Sequence, residues 1–301
     1  MGNDVFRHNG FTNTVTTNNH ITAAGSDWYW TVCAVMTVST LALMALSFFK
    51  QRSQRLLYYI AAGLTLIPAI SYFCMGSNLG WTAILVEWVR SDPEVHGDMR
   101  QIFYVRYIDY FITIPLLLTL LLLSCGLPTS TLLYTLLMGE VWVIMALVGA
   151  LVHSEYKWGF FTFGTVALLF VCFALIYEGR AYARTLGQDI LRVYTVCSAW
   201  VVSLWIVYPV IWGVSEGGNV IAPDSEAVAY GVLDILIKPL TAAVLIWGMR
   251  NVEMERLGIH IRDVNAAPGT APQTEKSAEA AAAGEGVTAP APADTTATSA
   301  V

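Results

Sequence analysis

The chain has 301 residues, of which 56% are hydrophobic and only 13% are charged, and its formal net charge is −6. A soluble domain usually carries about 25% charged residues, so this composition excludes an ordinary soluble protein and indicates a membrane protein. The five cysteines follow neither a metal-binding spacing nor a disulfide framework, and we interpret them as small apolar packing residues.

Seven apolar segments are long enough to cross a bilayer, which takes roughly 20 residues in a helix. In chain order they cover residues 28–49, 56–76, 101–124, 129–152, 158–177, 193–215 and 224–248. The second apolar run continues to residue 86, which is too long for one helix, so we expect this span to end near Gly76 in a loop. The sequence therefore predicts an all-α membrane protein, a bundle of seven transmembrane helices.

Lysine and arginine are unequally distributed between the two sets of connections. One set contains Lys50, Arg52, Arg55, Arg180, Arg184, Arg192, Arg250 and Arg256, whereas the other contains Arg90, Arg100 and Lys157, with Arg7 in the N-terminal tail. The positive-inside rule then places the N-terminus outside and the C-terminus in the cytoplasm. We expect the plasma membrane, because we recognise no retention or organelle signal.

Three regions follow from this topology. Residues 1–27 are predicted to form a polar extracellular tail, and residues 28–250 the helical domain. Residues 251–301 are predicted to form a cytoplasmic tail. From about residue 265 this tail consists mainly of Ala, Pro, Thr, Gly and Glu, which cannot form a core, so we expect it to be largely disordered.

Several ionisable side chains remain inside the predicted spans, where an isolated charge costs at least ~2.5–3.5 kcal/mol. Lys238 lies near the middle of the seventh span, and Asp234 lies one turn before it on the same face. In the third span Arg106, Asp109 and Thr113 stand at i, i+3 and i+7, so they share one face. We predict a compensated cluster in the bundle interior, with Lys238 and Arg106 opposite Asp109 and Asp234.

This cluster has a structural and a functional interpretation. It could be a buried salt-bridge network without chemistry. However, apolar packing is usually no less stable than buried ion pairs, so retaining four such groups favours a function. A desolvated lysine amine readily loses its proton and becomes nucleophilic, which is the state needed to form a Schiff base with an aldehyde.

Four segments on the expected spans carry recognisable motifs. They are RYIDYFITIPLLL (106–118), YKWGFFTFG (156–164), WIVYPVIWGVSEGG (205–218) and LDILIK (233–238). The first, third and fourth resemble the third-helix, sixth-helix and retinal-lysine signatures of the microbial rhodopsins, and the second resembles their fungal branch. The resemblance covers about residues 28–250 and implies a protein that binds retinal, which light isomerises from the all-trans to the 13-cis form.

The resemblance assigns a role to each group of the cluster. Lys238 would hold all-trans retinal as a protonated Schiff base. Asp109 would be its counter-ion and its proton acceptor after light, and Asp234 would be the second counter-ion. Arg106 would lie just outside them, and Thr113 would form a hydrogen bond near Asp109.

Aromatic residues would line the retinal pocket. Three of them stand at i, i+3 and i+7 of the sixth span and share a helix face irrespective of any family. Without the lysine we would interpret them as core packing. The family often has tryptophan at the positions of Tyr110 and Phe161, so this pocket would be looser or differently tuned. The residues implied to contact retinal are Trp205, Tyr208, Trp212, Tyr110 and Phe161.

Two glutamates are predicted near the outer surface. Glu216 lies just after the sixth span, and Glu226 lies at the start of the seventh. Together with Arg106 they resemble the proton-release group of the family, and the alternative is a pair of exposed loop glutamates. Under the first interpretation, light moves a proton from the Schiff base to Asp109 and then outward.

The return of the proton is where the sequence departs from pumping relatives. They carry a carboxylate eleven residues after the counter-ion, about 16 Å nearer the cytoplasm on the same helix face. Here that residue is Leu120, which cannot donate a proton. Re-protonation from cytoplasmic water would be slow and pH-dependent, which favours a photoreceptor with weak or no net outward proton transport. A working outward proton pump remains the alternative, because the acceptor and the outer glutamates are present.

Two further residues bear on the cycle. Glu140 is not expected to replace the missing donor, because nothing in the sequence places it on the path to Lys238. Pro239 directly follows the lysine and removes an N–H that would bond to the Ile235 carbonyl. We expect this to disturb the turn that holds Asp234.

Other classes fit less well. A light-gated channel would have a polar residue at Ile114, a chloride pump would lack Asp109, and a sodium pump would carry an acid at Thr113. A G-protein-coupled receptor would show DRY-like and NPxxY-like motifs, and a chaperone-like opsin without photoactivity would be expected to lose Lys238. We expect no enzyme, since we recognise no fused catalytic domain.

The expected partners are the lipid bilayer and protons but no nucleic acid, with a cytoplasmic signalling partner and a homo-oligomer left open.

Overall fold

The structure of the chain is a computed structural model, and it describes residues 4–9 and 17–259. Its seven long apolar helices, labelled α1 to α7, confirm the predicted all-α membrane bundle. They are Ala23–Phe48, Leu56–Gly76, Tyr104–Ser124, Thr129–Leu151, Lys157–Leu186, Gln188–Gly217 and Pro223–Met249. A short helix, Val5–Asn9, precedes them, and a 3₁₀ turn, Met254–Leu257, follows. The tail predicted to be disordered lies outside the described residues.

Several helices extend beyond the predicted apolar runs. The first begins at Ala23, five residues before Trp28, and the Thr22 hydroxyl caps it by accepting the Ala24 N–H. α5 continues to Leu186 and α6 already begins at Gln188. Charged residues such as Arg184 therefore lie within helices rather than in a loop, because hydropathy marks the apolar length of a helix and not its hydrogen-bonded length.

An antiparallel hairpin lies between α2 and α3, where we predicted a loop followed by the start of the third span. Its strands β1 (Thr82–Leu85) and β2 (Met99–Ile102) pair from Thr82 with Ile102 to Leu85 with Met99. The N-terminal segment joins them, because the Asn19 N–H bonds to the Met99 carbonyl and the Asn19 carbonyl accepts the Gln101 N–H. We call this end of the bundle the hairpin end and the other the opposite end.

The helices pack in sequence order, and α7 closes the bundle by contacting both α1 and α6. α3 lies at the centre, where Arg106, Asp109, Thr113 and Leu120 are all buried. The polar stripe of α3 therefore faces the bundle interior. Its position brings the predicted third-span groups opposite α7, which carries Asp234 and Lys238.

Two charges that we assigned to the outer connections are buried instead. Arg100 is 1% exposed and Lys157 is 2% exposed. Arg100 lies in β2 and points into the bundle, whereas Lys157 lies at the first turn of α5. They are therefore interior charges rather than surface charges. The orientation of the termini across the membrane stays a prediction.

Candidate functional site

Lys238 lies between the two aspartates. Its Nζ is 2.6 Å from Asp109 Oδ2 and 3.4 Å from Asp234 Oδ2, and all three side chains are buried. The prediction that Arg106 pairs with these aspartates is wrong, because its ion pairs are with Glu216 and Glu226. Burial of a lone amine would be costly, so the two carboxylates are what make a charged lysine tolerable here.

A widened turn of α7 positions the lysine. Residues Leu236–Leu240 form a π turn that contains both Lys238 and Pro239. A π turn already departs from the α-helical hydrogen-bond pattern, so a proline without an N–H is accommodated within it. The expected disturbance is thus confined to this turn, and Asp234 and Lys238 remain paired at i and i+4.

The two aspartates differ in how fully their oxygens are bonded. Asp234 accepts the Tyr72 hydroxyl at 2.8 Å and the Tyr208 hydroxyl at 2.6 Å. Asp109 Oδ1 is buried and has no hydrogen-bond partner among the described residues. The Thr113 hydroxyl donates to the backbone carbonyl of Asp109, at 2.9 Å. Both oxygens of Asp234 therefore accept tyrosine hydroxyls, whereas one oxygen of Asp109 has no such partner among the described residues.

A cavity lies beside the lysine, which is one of its lining residues. Its lining is mainly apolar and aromatic, and its polar residues include Lys238, Asp234, Thr113 and Thr165. The five aromatic residues predicted to surround retinal all line it, namely Tyr110, Phe161, Trp205, Tyr208 and Trp212.

The aromatic walls are packed against one another. Phe161 stacks on Trp212 with 5.3 Å between ring centroids, and Trp142 meets Trp205 edge to face at 5.5 Å. The centroid of the Tyr110 ring lies 5.0 Å from Lys238 Nζ, within the range of a cation–π contact. Sequence reasoning missed Trp142, because a tryptophan within an apolar run of α4 has no distinguishing spacing.

A second charged cluster lies between the cavity and the hairpin end. Arg106 forms ion pairs with Glu226 and, at 3.3 Å, with Glu216, and Arg100 pairs with Glu226 at 2.7 Å. The glutamates are 4% and 3% exposed, so the alternative of exposed loop residues is wrong. Glu216 lies inside α6, in the π turn Gly213–Gly217, and not after the helix as predicted.

Tyrosines complete this second cluster. The Tyr107 hydroxyl donates to Glu216 at 2.6 Å, and Arg106 donates to the Tyr29 hydroxyl at 3.0 Å. Lys157 Nζ lies 3.4 Å from the Glu216 carbonyl. Sequence reasoning predicted none of these three partners. Only Tyr107 could have been suspected, because it directly follows Arg106 within the third-helix motif.

The part of α3 that lies between the level of the lysine and the opposite end of the bundle carries mainly aliphatic side chains. Leu117, Leu118, Leu120 and Leu121 are all buried in the main core. Glu140 lies on α4 and is not among the residues that line the cavity. Leu120, eleven residues after Asp109, is therefore packed in the aliphatic core.

The chain is similar to known proteins in both sequence and structure. The sequence profile of the bacteriorhodopsin-like proteins matches residues 23–251. The opsin-like protein carO of Fusarium fujikuroi is 53% identical over 246 residues, which is 82% of this chain and 80% of that protein. The light-driven proton pump LR (Mac) from Leptosphaeria maculans superposes with a TM-score of 0.73 at 30% identity, covering 79% of this chain and 99% of that one. The light-driven proton pump of Coccomyxa subellipsoidea gives 0.72 at 29% identity, covering 76% and 98%.

Proposed function

Because the chain belongs to the bacteriorhodopsin-like family of retinal-binding membrane proteins, we propose that it is a light-activated photoreceptor with a slow cycle and weak or no net outward proton transport. Members of this family act as light-driven ion pumps or sensors rather than as classical enzymes. The observation that carries the choice is Leu120, buried in an aliphatic core where pumping relatives have a proton donor. We further propose the plasma membrane as its location and a cytoplasmic signalling partner.

The chemistry of the cavity lining supports retinal as the ligand. The lining is mainly apolar and aromatic, and it includes a buried amine with two carboxylates beside it. We propose that Lys238 binds the all-trans isomer covalently and that Tyr110, Phe161, Trp205, Tyr208 and Trp212 enclose it. When bound, retinal supplies a conjugated chain that absorbs visible light and changes shape by isomerisation.

The proton step uses residues of this chain. A proton on Lys238 Nζ has a direct acceptor in Asp109 Oδ2, at 2.6 Å, which is within reach for transfer. Hydrogen bonds from Tyr72 and Tyr208 stabilise the negative charge on Asp234. We propose that Asp109 therefore receives the proton and that Asp234 keeps its charge throughout the cycle.

The return step determines the class of protein. Lys238 Nζ must regain a proton, and the buried leucines of α3 offer none. Under the predicted orientation, the proton comes from cytoplasmic water. A slow return keeps the light-activated form populated, which suits a sensor working in dim light.

An outward pump is the second candidate. It is favoured by the buried cluster at the hairpin end, where Arg106, Glu216 and Glu226 lie between Asp109 and the proposed outer surface. The two structural relatives are also light-driven proton pumps. Slow return lowers the transport rate without forbidding transport, so the two candidates differ in the speed of one step.

Flash photolysis of the retinal-reconstituted protein tests the proposal, from about pH 5 to about pH 9. We compare the unsubstituted chain with Leu120→Asp, and use Leu120→Asn as the matched control because asparagine has the size of aspartate but donates no such proton. We expect the return of the proton to Lys238 to slow as pH rises in the unsubstituted protein and in Leu120→Asn. Leu120→Asp should remove this dependence.

Proton movement in sealed vesicles provides the complementary measurement. A photoreceptor gives little or no steady light-driven pH change, and Leu120→Asp increases it. A return step that is fast and independent of pH in the unsubstituted protein would reject the photoreceptor and favour the pump.

A further inference from the structure

The two glutamates of the cluster at the hairpin end have different partners. Glu226 is bonded to a guanidinium group at each oxygen, because its Oε1 lies 2.5 Å from Arg106 Nη1 and its Oε2 lies 2.7 Å from Arg100 Nη2. A guanidinium donates hydrogen bonds and cannot accept one. A proton on either oxygen of Glu226 would therefore point at a donor, so Glu226 is stable as a carboxylate.

Glu216 has partners that suit both of its protonation states. Its Oε2 accepts the Tyr107 hydroxyl at 2.6 Å and lies 3.5 Å from the Tyr230 hydroxyl. Its Oε1 lies 3.3 Å from Arg106 Nη1, a longer distance than the one between the same nitrogen and Glu226. A hydroxyl can donate or accept, so the Tyr107 hydroxyl can turn and accept a proton carried by Glu216. Glu216 can therefore hold a proton and keep a hydrogen-bond partner for it.

Strand β2 and its neighbours fix the arginine that bonds to Glu226. Arg100 is buried, and its Nη1 donates to Asn219 Oδ1 at 2.7 Å and to the Ile221 carbonyl at 2.9 Å. The Asn19 side chain donates to the same Asn219 oxygen at 2.9 Å, which helps to hold the asparagine in place. With Nη1 bonded to these two acceptors, Nη2 is directed at Glu226. A buried guanidinium needs a negative partner, so Arg100 in turn favours an ionised Glu226.

The other charged and titratable groups around Glu216 leave this difference intact. Lys157 Nζ lies 3.4 Å from the backbone carbonyls of Glu216 and Gly217, so it contacts the backbone and not the carboxylate. Within the described part of the chain, tyrosine hydroxyls donate to Glu216 alone of the two glutamates, and Glu226 alone is bonded to both arginines. The groups that surround Glu216 and Lys157 are Tyr29 on α1, Glu87 and Arg100 on the hairpin, Arg106 and Tyr107 on α3, and Glu226 and Tyr230 on α7.

We propose that Arg100 is a positioning residue that keeps Glu226 as a carboxylate, so that Glu216 is the glutamate of this cluster that takes up and gives off a proton. The resemblance would give both glutamates that role. The step is the binding of one proton by the Glu216 carboxylate, and loss of the proton to water restores the carboxylate. The assignment rests on the contacts alone, whereas its link to the light-driven cycle rests on the proposed function.

The first test is an acid titration in the dark, followed by the infrared C=O stretching bands of protonated carboxyl groups. The full chain is reconstituted with retinal in lipid nanodiscs and taken from about pH 8 to about pH 4, a range that spans the titration of buried carboxyl groups. A glutamate band should appear that is lost in Glu216→Gln and kept in Glu226→Gln. A band that is lost in Glu226→Gln and kept in Glu216→Gln would overturn the proposal.

Substitution of Arg100 tests its part in the assignment. Arg100→Gln should raise the ratio of protonated to ionised Glu226 about ten- to a hundredfold at a given pH, the effect of one hydrogen bond to a charged group. Arg100→Lys keeps a positive donor without the forked geometry and should give a smaller increase. Arg90→Gln is the matched control, because Arg90 bonds to the Gly218 carbonyl at the same end of the bundle. A Glu226 that stays as ionised in the Arg100 variants as in this control would refute the role of Arg100.

Flash photolysis separates this assignment from the proposed function. With a pH-indicator dye, Glu216→Gln should delay the appearance of a proton at the hairpin end about a hundredfold, the lower range for loss of a proton-transfer group, and Arg90→Gln should not. If the titration assigns the proton to Glu216 but the return to Lys238 is fast and independent of pH, the photoreceptor is rejected and the assignment stands. If the return is slow but the titration assigns the proton to Glu226, the assignment is rejected and the photoreceptor stands.

Discussion

Replacing Tyr72 by phenylalanine tests why Asp109 rather than Asp234 receives the proton. The substitution removes the hydroxyl that donates to Asp234 Oδ2 at 2.8 Å, and Tyr72 is not part of the cavity wall. A hydrogen bond to a charged group contributes about 1.5–3 kcal/mol, so its loss should shift the proton equilibrium between the two aspartates towards Asp234 roughly ten- to a hundredfold. Tyr208→Phe should act in the same direction, but it also alters the cavity.

Infrared difference spectroscopy under illumination provides the assay, because each protonated carboxyl gives a separate C=O stretching band. Asp109→Asn and Asp234→Asn assign the two bands. Tyr59→Phe, at an exposed position of the same helix, is the control. An unchanged ratio of the two bands in Tyr72→Phe would show that hydrogen bonding to Asp234 does not direct the proton, and the mechanism would need another cause.

Three further outcomes follow from the charged groups. Arg100→Gln leaves the buried Glu226 with only one of its two arginine partners, so it should lower the free energy of unfolding by at most about 3–5 kcal/mol. Arg256→Gln, at an exposed ion pair, should hardly change the melting temperature, and thermal unfolding compares the two variants. Tyr107→Phe removes the hydroxyl bonded to Glu216 and should alter the timing of proton release to the hairpin end, measured with a pH-indicator dye, and unaltered timing would exclude Glu216 from release. Glu140→Gln should leave the pH dependence of the return step unchanged, and a slower return would identify Glu140 as a donor.

The helices and the lysine site could be predicted from the sequence, because both depend on the periodicity of the helix. Apolar runs of membrane length define seven helices, and the i, i+4 relation of Asp234 and Lys238 places them on one face. The role of Tyr72 could not be predicted from the sequence. A tyrosine within an apolar helix has no spacing that distinguishes a hydrogen-bonded hydroxyl from a packed ring. Its role appears only when α2 is placed against α7.

The second cluster was only partly predictable, for a different reason. Arg106 lies on the same helix face as Asp109, which suggested that they belong together, yet its guanidinium reaches Glu216 and Glu226 towards the hairpin end. Helical periodicity fixes the direction around a helix axis, whereas a long side chain is free to extend along it. Arg100 was misplaced because its strand, β2, is too short to be recognised beside a transmembrane helix.

Under the proposed function, the buried charges of the described residues would let one leucine affect both ends of the cycle. They comprise four basic and four acidic side chains: Arg100, Arg106, Lys157 and Lys238, and Asp109, Glu216, Glu226 and Asp234. A proton that moves from Lys238 to Asp109 leaves the interior formally neutral, so this step creates no uncompensated charge. A proton released from the hairpin end leaves one unit of negative charge in a medium where unpaired charge is costly. Under the proposed function, that charge would persist until a proton arrives past Leu120. The residue that is proposed to delay the return would then also oppose release, and this balance would favour a long-lived light-activated form over rapid transport.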